Sequence, residues 1–280
     1  MAYKKYGETF KKIRKQNGFT LLDFSLVGLA KSTLSDFERG STMISLEKID
    51  LALQLMGYSL SDFDNHLNFY SPTDTNHILK EIENAVLLKN TQKLKDLQNT
   101  CLQIDQKYIA ISIKFLLEEG MIEEKEKLIN YLYETKAFGI KELSIFYSVV
   151  SQLTPHDILN IMKRLRYYGK GMANSETYHH HLAHLILEVI LVLSKYGLKE
   201  ESYFYLHRFK TLNLAQSMLL RNLFKMTKGL WEYSFDNKEI GIQKVEKGLE
   251  ILHLGARPEV ATFYQEKFGK LMTLNGSVLE

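Results

Sequence analysis

The segment from Lys31 to Gly40 constrains the fold of this chain more than any other. It predicts a short helix that ends at a glycine and keeps its apolar and polar sides apart. Leu34 and Phe37 face inward, and the outward side carries Lys31, Ser32, Thr33, Ser35 and Asp36. Short polar side chains beside a cation suit a helix that enters the DNA major groove and contacts base edges. The segment therefore predicts a recognition helix.

The residues on either side predict a five-helix domain. Residues 20–27 are compatible with a preceding helix and residues 28–30 with a tight turn, which together give a helix-turn-helix. An amphipathic helix with a basic outer side is predicted before them. Ser45 is a candidate N-cap for a fourth helix, and residues 59–63 begin a fifth.

Charge is concentrated at the N-terminus. The net charge of the chain is only +3, whereas residues 1–18 contain six cations and one anion. Attraction to nucleic acid must therefore be local. Asp36 can accept hydrogen bonds only, so it suits a cytosine amino group or a neighbouring cation. The candidate DNA-contacting residues are Arg14, Lys15, Thr20, Lys31, Ser32, Thr33, Ser35, Asp36 and Arg39.

These signals, in this order, resemble the helix-turn-helix domain of phage-repressor-like (XRE-type) regulators. The sequence departs from that pattern at two positions. Leu21 replaces a glutamine that holds the DNA backbone, and Ala30 replaces the serine or threonine that usually caps the recognition helix. We expect a lost phosphate contact and weaker capping. The alternative is a small helical bundle with no role in nucleic-acid binding.

Several classes of protein are disfavoured. Cys101 is the only cysteine, which excludes an intrachain disulfide and a thiolate metal cluster. The N-terminus lacks the apolar core of a secretion signal, and no run of 18 apolar residues follows. There is no glycine-rich phosphate loop and no nucleophile elbow. We expect a cytoplasmic chain without a membrane span, a cofactor, a metal site or enzymatic activity.

Helical periodicity breaks between Asn65 and Asn76, around Pro72. We therefore expect a helix-turn-helix domain in residues 1–66, a linker in 67–76 and a second domain in 77–280. The second domain shows little alternating strand signal. Its predicted helix pairs lie at 77–101, 105–134, 139–167, 176–211 and 215–253, with a last helix after Pro258.

Helix pairs of this size expose an apolar face that they cannot bury alone, so neighbouring pairs stack. The predicted fold is thus all-α, a λ-repressor-like domain followed by an α-solenoid of TPR-like pairs with a concave inner surface. The residues expected to form its buried ridges are Phe115, Leu116, Tyr131, Leu132, Phe146, Leu165, Leu193, Phe204, Leu223 and Trp231. The last helix, with Phe263, Tyr264 and Phe268, is the expected dimer contact.

The whole chain resembles the Rgg (MutR/GadR) family of Gram-positive transcriptional regulators. The resemblance rests on Lys31-Ser32 with Phe37-Glu38-Arg39-Gly40, and on two shorter matches, Phe138-Gly139 with Glu142-Leu143 and Lys228-Gly229 before Trp231-Glu232-Tyr233. It implies a cytoplasmic homodimer that binds inverted-repeat promoter DNA. It also implies control by a short linear peptide, as in pheromone (quorum) sensing, bound in the helical-repeat domain.

Polar groups on the floor of a groove are costly unless they meet a partner, which makes them candidates for ligand contact. The candidates for binding a short hydrophobic peptide are Tyr147, Ser148, Ser151, His180, His184, Arg221 and Lys225. His180 and His184 share one helix face, but two ligands do not form a metal site, and a third would have to come from another helix. Two alternatives are a protein-docking module and a metal or pH sensor that uses the cluster His179–His184.

Overall fold

A computed structural model describes residues 4–68, 75–168 and 175–277. The chain forms two compact units, divided after Asp74. The described residues form helices and connecting turns and contain no strand, so the predicted all-α fold class is confirmed. The predicted linker falls partly in helices, because residues 67 and 68 end one helix and residues 75 and 76 begin the next; residues 69–74 lie outside the described part of the chain.

The first unit contains the five predicted helices. In chain order they are α1 (Lys4–Gln16), a 3-10 helix (Asp23–Val27), α2 (Lys31–Glu38), α3 (Leu46–Leu55) and α4 (Leu60–Asn68). The predicted helix over residues 20–27 is shorter than expected. The backbone N–H and the hydroxyl of Thr20 both donate to Oδ2 of Asp23, at 2.6 and 2.9 Å. These bonds hold residues 20–22 in a bend ahead of the 3-10 helix.

The core of the first unit is built around one aromatic ring. Phe10 lies on α1, and its ring meets Phe24, Phe37 and Phe63 in edge-to-face geometry with centroids 5.6, 5.7 and 6.5 Å apart. Each of the other three comes from a different helix, so one residue joins four elements. Leu34 and Phe37 are fully buried, as the sequence predicts for the inner side of α2.

Helix α1 and the C-terminal end of α2 approach each other closely. A Cβ atom at Gly7 would lie 1.9 Å from the carbonyl oxygen of Phe37, so no larger residue fits there. Gly40 follows α2 with a φ of +73°, and a Cβ there would lie 2.6 Å from the Cα of Lys4. Both glycines are therefore needed for the backbones to pack at this distance.

The position of Arg14 corrects a prediction. The sequence places it on the basic outer side of α1, but it is only 7% exposed and pairs with Glu38, which is 4% exposed. Its Nε and one terminal nitrogen donate to the two carboxylate oxygens of Glu38, at 2.5 and 2.8 Å, and the other terminal nitrogen donates to the carbonyl of Phe19 at 2.7 Å. Arg14 is thus a buried anchor of α2, not a DNA contact.

The second unit follows the predicted pairs closely. Its helices are α5 (Thr75–Leu87), α6 (Thr91–Gln103), α7 (Lys107–Leu116), α8 (Ile122–Glu134), α9 (Ile140–Val149), a 3-10 helix (Val150–Gln152), α10 (Pro155–Tyr168), α11 (Glu176–Lys195), α12 (Lys199–Thr211), α13 (Met218–Phe235), α14 (Lys238–Gly255) and α15 (Pro258–Ser277). None of the described helices is both long enough and apolar enough to cross a membrane.

The first helices of successive pairs form an inner layer. Helix α7 packs on α9, α9 on α11 and α11 on α13, and α5 also contacts α9. The last helix, α15, contacts α5, α11 and α13 and so lies against this layer. Tyr264 and Phe268 of α15 are consequently buried within their own chain. This burial argues against the expectation that they form the dimer contact.

Most of the expected ridge residues are buried or partly buried, with one exception. Phe204 of α12 is 45% exposed, because α12 turns Tyr205, Leu206 and Phe209 toward the core instead. Elsewhere in this core, Phe209 stacks on Phe224 with centroids 4.7 Å apart. The indole N–H of Trp231 donates to the Ser202 hydroxyl at 3.0 Å.

We predict that Arg14→Ala destabilises the first unit by about 3–5 kcal/mol, because it leaves the Glu38 carboxylate buried without a cation. Trp231 is the only tryptophan and lies in the second unit, so its fluorescence follows that unit alone. In urea unfolding, far-UV circular dichroism should therefore show an early transition while the Trp231 transition stays unchanged.

Lys15→Ala is the matched control, since it removes one exposed cation from the same helix. Equal unfolding curves for the two variants would contradict a structural role for Arg14. Replacing both partners in Arg14→Met/Glu38→Leu should recover most of the lost stability, because no unpaired charge then remains buried.

Candidate DNA-binding surface and ligand cavity

The first turn of α2 is the exposed part of the predicted recognition helix. Lys31, Ser32 and Thr33 are exposed, whereas Ser35 and Asp36 are partly buried. Ala30 occupies the N-cap position and its side chain accepts no hydrogen bond, as its identity predicts. A short cationic and hydroxyl-bearing surface therefore leads this helix.

Three other predicted DNA contacts are also exposed, but two of them have partners within the chain. The guanidinium of Arg39 pairs with the carboxylate of Asp36, in line with the sequence expectation that Asp36 suits a neighbouring cation. Thr20 is tied to Asp23 as described above. Lys15, at the end of α1, is exposed. Arg14 is thus the only one of the nine predicted DNA-contacting residues that is buried, and all the others are exposed or partly buried.

Sequence reasoning missed Glu38, the partner of Arg14. One signal was available, because Arg14 follows Phe10 by four residues and therefore shares the buried face of α1. The acid that meets it is 24 positions away along the chain. Only the packing of α1 against α2 brings the two together.

The second unit contains a cavity of about 490 Å³ on its inner layer. Most of the surface of its wall is apolar, although many polar side chains also contribute to it. The apolar residues include Leu79, Ile82, Val86, Leu87, Leu116, Leu143, Leu219, Val260 and Phe263. The polar ones include Lys80, Glu83, Asn84, Ser112, Ser144, Tyr147, Ser148, His180, His181, His184, Arg257 and Tyr264. Pockets of about 300–1,000 Å³ with this character are typical of ligand sites.

Four of the predicted peptide-binding residues line this cavity, namely Tyr147, Ser148, His180 and His184. They come from α9 and α11, the two central helices of the inner layer. The four residues therefore lie on the faces of α9 and α11 that line the cavity, and α5 and α15, which were not predicted to take part, complete the wall.

The other three predicted residues do not line the cavity. Ser151 lies in the 3-10 helix after α9, where the tighter winding carries it off the cavity face, and it is exposed. Arg221 and Lys225 share an exposed face of α13, and Nε of Arg221 donates to the carbonyl of Ala215 at 2.9 Å. From α13, the residue that lines the cavity is Leu219, which lies in the first turn of the helix.

One end of the polar wall is a cluster that joins α5 to α11. Nε2 of His180 lies 3.2 Å from Oε1 of Glu83, and the rings of His180 and His184 have centroids 4.6 Å apart. Burial lowers the pKa of His184 to about 3, so its imidazole is neutral at neutral pH. Burial raises the pKa of Glu83, but the hydrogen bond from His180 and the electrostatic interactions with the three histidines together outweigh burial, and the net shift is downward.

A second polar group lies beside this cluster. The ammonium of Lys267, on α15, pairs with the carboxylate of Glu188 on α11. It also lies 5.8 Å from the centroid of the Tyr147 ring. Burial by itself would lower the pKa of Lys267, but the interactions with Glu188, Tyr147 and Tyr264 together raise it. The two charges of this pair therefore offset each other next to the cavity.

Sequence analysis also missed Glu83, Glu188 and Lys267. Glu83 does follow Leu79 by four residues, so helical spacing places it on the apolar stripe of α5. A carboxylate on an apolar helix face indicates a polar or cationic partner on a neighbouring helix, but the sequence does not identify that partner.

Comparison with known proteins places both units in families. The second unit matches the family model for the C-terminal domain of the HTH-type transcriptional regulator Rgg over residues 84–266, and residues 10–63 match a helix-turn-helix model. The chain is also 29% identical over 98 residues to the antitoxin PezA of Streptococcus pneumoniae. It spans about 62% of the length of that curated relative.

Solved structures share the fold over almost the full length. The SHP pheromone receptor Rgg2 of Streptococcus dysgalactiae, in its C45S form, matches with a TM-score of 0.76 at 19% identity, covering 95% of this chain and 99% of that one. A putative transcriptional regulator of Listeria monocytogenes gives 0.78 at 14% identity, with 97% and 98% covered. The PrgX/cCF10 complex gives 0.72 at 16% identity, with 96% and 93% covered.

The family assignment rests on the C-terminal match, which covers more than half of the chain. The helix-turn-helix match adds the DNA-binding module that goes with it. The matched family is described as one of transcriptional regulators, and so is the matched structure from Listeria monocytogenes. The chain belongs to the Rgg family of helix-turn-helix transcriptional regulators.

Proposed function

We propose that this regulator binds inverted-repeat promoter DNA as a homodimer in the cytoplasm and that a short hydrophobic peptide in the cavity controls it. The observation that carries the peptide part is the cavity itself. It lies on the inner layer of the unit that matches the Rgg C-terminal model, and its wall is mainly apolar.

For DNA, the first turn of α2 and the end of α1 supply the groups that binding to a duplex requires. Lys31 and Lys15 are exposed cations suited to phosphate, and Ser32 and Thr33 can donate to or accept from base edges in the major groove. The pairing of Asp36 with Arg39 offsets the one acidic charge on this face, so it repels phosphate less. Arg14 is not among the proposed contacts, because it is buried in its ion pair with Glu38.

A homodimer fits the geometry with which helix-turn-helix proteins bind DNA. Two copies of α2 related by a two-fold axis would meet half-sites separated by one DNA turn, about 34–36 Å. An inverted-repeat operator mirrors that symmetry. We infer a dimer on this ground and expect it to be visible by light scattering of the full chain.

The matched proteins suggest which chemical class of ligand the cavity binds. Rgg2 is described as an SHP pheromone receptor, and one matched structure is that of a bacterial peptide pheromone/receptor complex. In this chain the apolar wall would take hydrophobic side chains, while Ser148, Tyr147 and His180 offer hydrogen bonds to a peptide backbone. A peptide that binds only the folded chain and prefers one conformation would shift the regulator toward that conformation.

We predict that Lys31→Ala weakens binding to duplexes of any sequence, because it removes a phosphate contact. Its slope of log K against log salt should become less steep by about 1. Ser32→Ala and Thr33→Ala should instead change the ranking among promoter variants. Fluorescence anisotropy with labelled DNA from beside the chain's own gene, at two salt concentrations, measures both effects.

Lys163→Ala is the control for the DNA experiment, since it removes an exposed lysine from α10 in the second unit. It should leave affinity and salt slope unchanged. If Lys31, Ser32 and Thr33 variants all lose affinity equally on every duplex, the division into anchoring and base-reading roles is wrong.

We predict that synthetic short hydrophobic peptides encoded beside the gene raise the melting temperature of the full chain, as expected for a ligand of the folded state. At a ligand concentration of 100 Kd this stabilisation is about 2.7 kcal/mol. Ser148→Phe fills the cavity and should abolish the shift. Ser151→Phe makes the same change three residues away on an exposed turn and should preserve it.

The two variants distinguish a cavity ligand from a surface one. If Ser151→Phe loses the response and Ser148→Phe keeps it, the peptide does not occupy the cavity. The fluorescence of Trp231, which lies in the same unit, serves as the check that both variants remain folded.

A further inference from the structure

We propose that Glu83, His180 and His184 form a binding site for one divalent transition-metal ion, with zinc as the best match, in the wall of the cavity. This inference does not rest on peptide binding, because the site can be filled and measured without a peptide. It also revises the sequence expectation of no metal site, which was based on only two ligands on one helix.

The structure supplies the third ligand from another helix. His180 and His184 are one turn apart on α11, and Glu83 reaches them from α5. One ligand atom from each of the three side chains lies within 4.8 Å of the other two. Two imidazoles and a carboxylate are a set that zinc uses in proteins.

The distances are close to those that a bound ion requires. With zinc–ligand bonds of about 2.0–2.1 Å, a tetrahedral ion holds neighbouring ligand atoms about 3.3 Å apart. Nε2 of His180 and Oε1 of Glu83 are already 3.2 Å apart. The ligand atom of His184 lies within 4.8 Å of the other two.

A separate observation points to a missing partner at the same place. Nε2 of His184 is buried and has no hydrogen-bond partner among the described residues. Leaving a buried polar atom unpaired costs about 1–3 kcal/mol. A metal bound through this nitrogen would supply the partner.

The surroundings favour a cation with nitrogen ligands. The nearby ammonium of Lys267 is paired with Glu188, so the carboxylate of Glu83 remains available to an ion. Imidazole ligands favour zinc, nickel or copper over magnesium and calcium, which prefer oxygen ligands. Since all three side chains line the cavity, the fourth position of the ion would be open to water or to a carboxylate or imidazole of a cavity occupant.

The test uses the tag-free full chain and Zn²⁺ alone. Equilibrium dialysis followed by metal analysis should give one zinc per chain, and Co²⁺ in its place should give the visible absorption bands of a tetrahedral site. Glu83→Gln, His180→Ala and His184→Ala should each reduce affinity by more than the about 10–100-fold loss typical of a group that only supports a ligand.

His179→Ala is the matched control, because it removes an adjacent histidine of the same helix that is not one of the three ligands. It should bind zinc as the unchanged chain does. Trp231 fluorescence checks that each variant is folded. If His184→Ala fails to fold, Glu83→Gln still tests the site, because this substitution keeps the size of the side chain.

Three results would overturn the site. They are no stoichiometric zinc in the unchanged chain, full affinity in Glu83→Gln, or an equal loss in His179→Ala. The last would indicate loose binding by the histidine run His179–His181 instead of the three proposed ligands.

Discussion

The buried ion pair between Arg14 and Glu38 is the interaction on which the DNA-binding surface depends. Glu38 is the last residue of α2, and the guanidinium of Arg14 satisfies both of its oxygens. Gly7 lets the α1 backbone come within contact of the same end of α2. With one end of the helix held in this way, its first turn is left exposed with a fixed direction. The cost of desolvating two charges is offset only because every oxygen of the acid has a donor.

In the second unit the corresponding constraint is the partial burial of polar groups among apolar helices. The inner layer is built from helices whose apolar faces meet, yet Glu83, Glu188, Lys267 and two histidines are partly buried there. Lys267 and Glu188 match each other, and His180 meets Glu83. His184 is the group whose nitrogen is left without a donor or acceptor among the described residues. A cavity with one such group is well suited to a ligand or ion that completes it.

Local patterns in the sequence predicted the helices well. The two sides of α2 and the helix pairs of the second unit follow from spacing of apolar residues, and these signals lie within one or two turns of the chain. The predicted helix over residues 20–27 was too long, because two hydrogen bonds from Thr20 to Asp23 delay its start to Asp23. Apolar spacing carries no information about such side-chain bonds.

The site was predictable only in part, because its chemistry depends on contacts between helices. Tyr147 and His184 could be placed on inner faces from periodicity alone. Glu83 could not be joined to His180, since 97 positions separate them. Arg14 was misplaced for the same reason, because its charge suggested solvent while its partner lay on another helix. Ser151 was misplaced because a change from α to 3-10 winding rotates it off the cavity face.

We propose that the exposed first turn of α2 enters the major groove of DNA. Methylation interference on promoter DNA bound by the full chain tests it directly, because dimethyl sulfate modifies guanine N7 in the major groove and adenine N3 in the minor groove. We expect methylated guanines in two half-sites one turn apart to prevent binding. Interference from adenine N3 alone, or from neither base, would contradict it.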